Sequence, residues 1–318
     1  MDLHQFLTTT FIVGFVASSI RLATPLLLTA LGETFAERSG VLNIGVEGLM
    51  VIGAFSGFLG SHFSGNPWVG ALCALLTGAL FSCLHAYLTA TLATDQIVSG
   101  LAVNFFGLGL VIFGYRAVFG MPITAPRAAT FEPLHFPLLS ELPIFGDILF
   151  NHNIWVYFAW LLVPLCYIAL FKTPWGLGVT AVGENPAAAE AAGVSVAGVR
   201  FKCVVIGGAF AGLGGMVLAL TQLGFFTEMM VTGRGFIAIA IVLFGRWHPL
   251  RVLGSAMIFG AADALQLRLQ TMGAGLFISP HLMVAFPYFI TLMVVLASLG
   301  GNVMPKTLCV PYKGSEYR

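Results

Sequence analysis

The sequence predicts an all-α, polytopic membrane protein of about nine transmembrane helices (eight to ten), some broken or re-entrant, forming one domain over residues 1–318. Three observations predict it. Of the 318 residues, 58% are hydrophobic and only 8% charged, against about 25% charged in an ordinary soluble domain. The mean hydropathy is +0.95. Apolar runs of about 20 residues, the length that crosses a bilayer, recur along nearly the whole chain.

The runs, in order, cover 6–31, 43–64, 67–92, 96–119, 153–171, 202–222, 234–246, 249–271 and 281–300. The first has no basic region or cleavage site before it, so Leu3 to Leu31 is read as a real span and not a signal. The second and the sixth each carry glycines four apart, Gly53/Gly57 and Gly208/Gly212, a spacing that lets helices approach closely. Asp95 stands where it can cap the fourth span. The 234–246 run is short and reads as a half-helix. The 38 glycines exceed the usual share of about 7%, which suits close helix packing.

Lysine and arginine placement sets the orientation. With loop 172–201 in the cytoplasm, that side holds Arg38, Lys172, Arg200, Lys202, Arg246, Arg251, Lys306, Lys313 and Arg318, nine of the fourteen basic residues. The outer loop 120–152 carries Glu132, Glu141 and Asp147 against Arg127 alone, and Arg116, Arg234 and Arg268 are expected near outer helix ends. The N-terminus is then outside and the C-terminus inside, as expected of a multi-pass protein with an odd number of spans.

A polar insert interrupts the apolar sequence. Asn185 can cap a helix, Pro186 suits its first turn, Ala187 to Ala192 favour helix, and Gly193 supplies a left-handed stop. Two turns of helix are too short to be stable alone in water. The insert rests either on its own bundle or on a partner.

The stretch Ser39 to Gly48 places three glycines, Asn43 and Glu47 where one span ends and the next begins. Glycines permit a broken helix there. Asn43 and Glu47 are four apart, which on a helix puts them on one face. Glu47 either serves function inside the membrane or faces the cytoplasm. Asn104 is a candidate for lining a path. Asp263, Gln266 and Gln270 fall on one face of the eighth span, and a buried aspartate is expected to face protein or a cavity. Arg268 lies off that face and can snorkel.

The chain resembles the permease subunits of ATP-binding-cassette importers of the ribose and branched-chain amino acid type, closest to the nucleoside and simple-sugar branch. The resemblance is carried by ERSGVLNIGVEGLMVIGAF (Glu37 to Phe55), DQIVSGLAVNFF (Asp95 to Phe106) and AVGENPAAAEAAGVSV (Ala181 to Val196). It continues in GRGFIAIAIVLFGRWHPL (Gly233 to Leu250) and GAADALQLRLQ (Gly260 to Gln270). It implies that Gly183 to Gly193, with Gly183, Glu184, Asn185, Pro186, Ala187, Glu190, Ala191 and Gly193, form a helix that docks on a cytoplasmic ATPase. It implies a second permease subunit, two ATP-binding-cassette ATPases, an extracytoplasmic substrate-binding protein and a small polar substrate, nucleoside first and simple sugar second. The chain begins where the family's second helix would stand, which favours pairing with a longer homologue.

Absences sort the remaining classes. No lysine lies between a glycine and a serine or threonine, so no phosphate loop can be drawn and ATP belongs to a separate chain, with no cofactor on this one. A self-contained secondary transporter would need a coupling-ion site or inverted halves, and no internal repeat is evident. An intramembrane enzyme would show paired carboxylates or a histidine–acid pair on one face. The five cysteines form no CxxC pair and the histidines no metal-ligand spacing. With a net charge of +1 and no basic stripe, nucleic acid is not an expected partner; membrane lipid is.

Overall fold

Close backbone approaches at glycines and a core of apolar side chains hold the helices of this protein together. The computed structural model describes residues 9–137, 139–140, 142, 144–271, 285, 289–290, 292–293 and 304–314. Helices α1 (Thr9–Arg38), α2 (Val46–Ser64), α3 (Pro67–Ala86) and α4 (Gln96–Phe119) come first. They are followed by α5 (Ile154–Phe171), α6 (Pro174–Glu184) and α7 (Pro186–Ala191). The last are α8 (Val196–Val217), α9 (Arg234–Phe244) and α10 (Pro249–Thr271). Wide π-type turns extend α3 to Thr91 and α8 to Leu223. Seven of these elements are long and apolar enough to cross a membrane, and α9 is a shorter apolar helix. The expected span 281–300 lies outside the described residues, apart from isolated positions.

Helix α8 is the axis of the bundle and packs on α1, α2 and α3. A Cβ on Gly53 would run into the Gly212 backbone, so α2 and α8 touch main chain to main chain there. Contacts of this kind replace the hydrophobic drive that lipid does not provide between helices. The core runs from Leu26, Leu27 and Leu28 of α1 through Leu49 and Met50 of α2 to Met216 of α8.

Several boundaries differ from the sequence reading. Helix α1 continues past Leu31 to Arg38, because the polar residues of its last turns find partners inside the protein. Helix α8 starts at Val196, six residues before the apolar run at 202, with Ser195 Oγ accepting from the Gly198 N–H at 3.2 Å. Its Arg200 is 1% exposed, which an apolar-run count reads as the edge of a loop. Helix α6 was read as loop; the Thr173 hydroxyl caps it, with Pro174 in its first turn. Asp95 caps α4, its Oδ1 accepting from Ile97 and Val98 N–H at 2.9 Å each.

The two ends of the bundle are distinct. At one end, Ser61 Oγ donates to Ala129 O at 2.6 Å, and His62 Nδ1 lies 2.7 Å from Arg127 O. This joins α2 to the loop 120–152. At the other end, Arg38 Nε donates to Trp247 O at 3.0 Å and Nη1 to Thr180 Oγ1 at 3.2 Å, gathering α1, α6 and the α9–α10 turn. That end carries most of the basic residues and is called the basic face below.

Candidate functional site

The chain break after α1 does not simply turn around at the basic face. Helix α1 ends at Arg38, Gly40 takes a left-handed φ of +90°, and the backbone then runs back into the bundle as an irregular segment. The Asn43 N–H donates to Glu33 Oε1 at 3.0 Å, placing Asn43 beside α1 more than a turn inside its end. Gln96 bridges the same stretch, accepting from the Leu42 N–H at 2.9 Å and donating to Gly40 O at 3.2 Å. Gly100 leaves no slack: a Cβ there would stand 3.0 Å from the Ile44 nitrogen. Asn43 therefore lies in the break and not on α2, which starts at Val46. The premise that Asn43 and Glu47 share a helix face is corrected: irregular backbone, satisfied by Glu33 and Gln96, separates them.

Glu47 stands in the first turn of α2 and is 8% exposed. Its Oε1 accepts the Gly233 N–H at 2.9 Å, just before α9. The carboxylate thus caps α9, whose own preceding residue is a glycine with no side chain to offer. At its far end α9 turns through Arg246 and Trp247, both left-handed at φ +51° and +54°, and Trp247 Nε1 donates to Glu37 Oε2 at 2.5 Å. Helix α9 has 11 residues, about 16 Å at 1.5 Å per residue, and its C-terminal end lies at the basic face. Its N-terminus and Glu47 therefore stand near half the depth of a ~30 Å hydrocarbon layer. Arg234, expected near an outer helix end, is corrected to this mid-depth position.

Asp263 of α10 is half-buried and close enough to Arg234 for the two charges to interact. Gln266, one turn on, is also half-buried, and Gln270 is exposed. Asn104 of α4 is 5% exposed and backs onto Gly48, where a Cβ would stand 2.7 Å from the Asn104 Cα. Glu47 thus caps the head of α9 next to Arg234, with Asp263 of α10 within electrostatic range of Arg234, while Asn43 and Asn104 flank it from the break and from α4. Arg268 is tied down, donating from Nη1 to Phe11 O at 3.2 Å with its guanidinium 5.0 Å from the Phe11 ring.

The polar groups missed by sequence reasoning are Glu33, Glu37, Gln96, Arg200 and Trp247. Glu33 and Glu37 are 0% and 1% exposed. They stand one turn apart on α1, and the signal for them was their i, i+4 spacing with no breaker before Gly40. Glu33 Oε2, Glu37 Oε1, Glu47 Oε2, Asn104 Oδ1 and both Asn43 amide atoms are buried without a hydrogen-bond partner. Buried polar atoms of this kind are normally satisfied by protein or by ordered water. No group of three or more His, Cys, Asp or Glu that could hold a metal occurs among the described residues.

On the basic face, Asn185 Oδ1 accepts from the Ala188 N–H at 3.1 Å, and α7 ends at Gly193 with φ +85°. Gly183, Pro186 and Ala189 are buried against the bundle, Glu190 is half-buried, and Glu184, Asn185, Ala187, Ala191 and Gly193 are exposed. A Cβ on Gly183 would overlap the Arg38 carbonyl. The end of α6, which leads into the surface helix, is therefore in direct backbone contact with the end of α1.

A helical membrane protein with a half-helix ending at mid-depth, a buried break and a small helix on its basic face has the parts of a transport permease. The family described as branched-chain amino acid transport system / permease component matches residues 15–299, and the chain belongs to it. It is 39% identical over 322 residues to the guanosine ABC transporter permease protein NupQ of Bacillus subtilis, covering 98% of both chains. A Haloferax volcanii protein provisionally named a glucose ABC transporter permease, TsgC13, is 36% identical over 90% of this chain and 91% of its own. The nucleoside ABC transporter permease protein NupC of Lactococcus lactis is 36% identical over 95% of this chain and 97% of its own. The Bacillus and Lactococcus strains each contribute a second, more distant match, NupP and NupB. No solved structure matches the chain significantly. The chain is a permease subunit of an ABC importer.

Proposed function

We propose that this permease carries a nucleoside inward, paired with a second and longer permease chain. ATP is hydrolysed on separate ATPase subunits that dock on α7 from the cytoplasm, and an extracytoplasmic binding protein delivers the substrate. The observation that carries the substrate is the likeness to NupQ over 98% of both chains. NupP beside NupQ, and NupB beside NupC, support the paired permease. The membrane is the plasma membrane, with the basic face inward.

The working parts follow from the geometry. Glu47, Arg234 and Asp263 gather polar groups at mid-depth, where a solute crossing the membrane meets the least water. Asn43, Asn104 and Gln266 extend that polar band. The exposed face of α7, with Ala187 and Ala191, is small and smooth, which suits insertion into a groove.

The experiment is uptake of labelled guanosine by cells expressing this chain with its neighbouring permease, ATPase and binding protein, with excess glucose as competitor. Guanosine uptake that glucose does not reduce is expected; uptake of glucose alone would overturn the substrate. Ala191→Arg places bulk and charge on the docking face. That variant should insert in the membrane yet lose ATPase copurification and uptake. Normal copurification with normal uptake would overturn the docking role.

A further inference from the structure

Residues 304–314 lie on the basic face between α7 and the break after α1. Leu308 is 8% exposed and joins the main core. Tyr312 packs on a separate small cluster of Val182, Ala189 and Val196, which spans α6, α7 and α8. The Thr307 N–H donates to Gly183 O at 3.0 Å, and its hydroxyl donates to the same carbonyl at 2.7 Å. The Tyr312 hydroxyl donates to Glu190 Oε2 at 2.7 Å. This segment therefore grips α7 at Glu190 and grips the chain entering it at Gly183.

Arg200 ties the same segment to the break. Its Nε donates to Ser39 O at 3.2 Å, its Nη1 to Val310 O at 3.2 Å and its Nη2 to Thr307 Oγ1 at 3.4 Å. These partners are two backbone carbonyls and a hydroxyl, with no carboxylate among them. A buried guanidinium is tolerated only while its donors are matched, so moving one partner alone is costly. Gly40 closes the joint: a Cβ there would stand 2.7 Å from Thr307 Oγ1 and 2.9 Å from Arg200 Nη2. A cavity of about 570 Å³, lined by Thr91, Val196, Arg200 and Tyr312, separates this assembly from the end of α3 and leaves it room to shift.

We infer that residues 304–314 form a strap that makes α7 and the break one mechanical unit, with Arg200, Thr307 and Tyr312 as positioning residues. A six-residue helix cannot hold its own shape in water. The strap holds it, and Arg200 passes its displacement to Ser39, at the head of the backbone that leads to Glu47 and α9. The inference rests on the docking role proposed for α7.

Thr307→Val and Tyr312→Phe are close to isosteric and remove only the hydroxyls. With either, the ATPase should still copurify, while guanosine taken up per ATP hydrolysed falls about tenfold, the scale of one lost buried hydrogen bond. Thr307→Ser keeps the hydroxyl and should keep that ratio. Ala191→Arg separates the two readings, since it tests docking without touching the strap. A lost complex in Ala191→Arg, with wild-type ratios in Thr307→Val and Tyr312→Phe, overturns the strap and leaves docking standing.

A second measurement needs no partner. Amide hydrogen exchange on the purified permease in lipid nanodiscs should quicken together over 39–43 and 183–193 in Thr307→Val. Unchanged exchange at 39–43, or failure of that variant to insert, overturns the inference.

Discussion

Glu47 holds up the half-helix: its Oε1 supplies the acceptor that Gly233 cannot supply for itself. Glu47→Gln keeps an acceptor oxygen and removes the charge, whereas Glu47→Ala removes both. The alanine variant should lose about 1 kcal/mol, the scale of a lost helix cap, seen as a lower midpoint in thermal unfolding. If uptake by Glu47→Gln matches wild type from about pH 5.5 to 8, the charge has no part in transport. Asp263→Asn should assemble normally, and Asp263→Leu should lower the yield of folded protein by removing a polar group from the half-buried face it shares with Gln266. A leucine variant as stable and active as wild type would show that this face lines nothing.

Two histidines outside the spans set a pH dependence. His248 lies against Tyr167 and Phe171, with ring centroids 5.4 and 5.1 Å away. Burial, reinforced by Arg251 and Arg38, holds its pKa below the ordinary value. His152 is also depressed, chiefly by burial. Unfolded, both protonate near about 6.5. Below that pH the unfolded chain binds more protons than the folded one, so this part of the stability is present above it and lost as pH falls toward the folded values. The unfolding midpoint should drop between pH 7 and 5, and His248→Gln should flatten that drop. An unchanged slope in the variant would remove His248 from the account.

At the scale of elements, the helices meet where side chains are missing. Gly53→Val would drive a branched side chain into the Gly212 backbone and should cost about 1–3 kcal/mol by overpacking, measured as a lower midpoint in detergent. Gly235 lies as closely on Glu47, with a Cβ standing 2.7 Å from the Glu47 nitrogen. Helix α9 can therefore slide or tilt only with the start of α2. Gly193 is different in kind. It has open space around it and is held by φ +85° alone, so Gly193→Ala should cost about 1 kcal/mol through backbone strain. Fraying of α7 would report that loss in hydrogen exchange over 186–191.

At the scale of the whole molecule, the basic face is one connected assembly. Arg38, Thr180, Gly183, Arg200, Trp247 and Thr307 join α1, α6, α8, the α9–α10 turn and residues 304–314 by hydrogen bonds and backbone contact. The opposite end is joined through the loop 120–152, by Ser61 and His62 of α2 and by the Ala128 and Phe131 N–H groups, which donate to Gly224 O and Leu220 O at 3.1 Å each. The pairing proposed above has a direct test in expression: made alone, the chain should give little guanosine uptake, and coexpression of the longer neighbouring permease should restore it. Full uptake from this chain and the ATPase alone would show that the permease works as a pair of itself.

The class of protein, most spans and the capped surface helix were legible in the sequence, because length of apolar run, cap residues and basic-residue placement are local signals. Asn185, Pro186 and Gly193 mark α7 whatever surrounds it. The depth of Glu47 was not legible, nor was the neighbourhood of Arg234. Both depend on the break running back into the bundle, and that path is held by Glu33, Gln96 and Gly100, which lie from 10 to more than 50 positions away. Arg200 falls in the loop 172–201 and Glu37 beyond the run 6–31 because a charge next to an apolar run looks solvated. Only the tertiary structure supplies the carbonyls and the indole that allow their burial, and with them the contact between the end of α6 and the break.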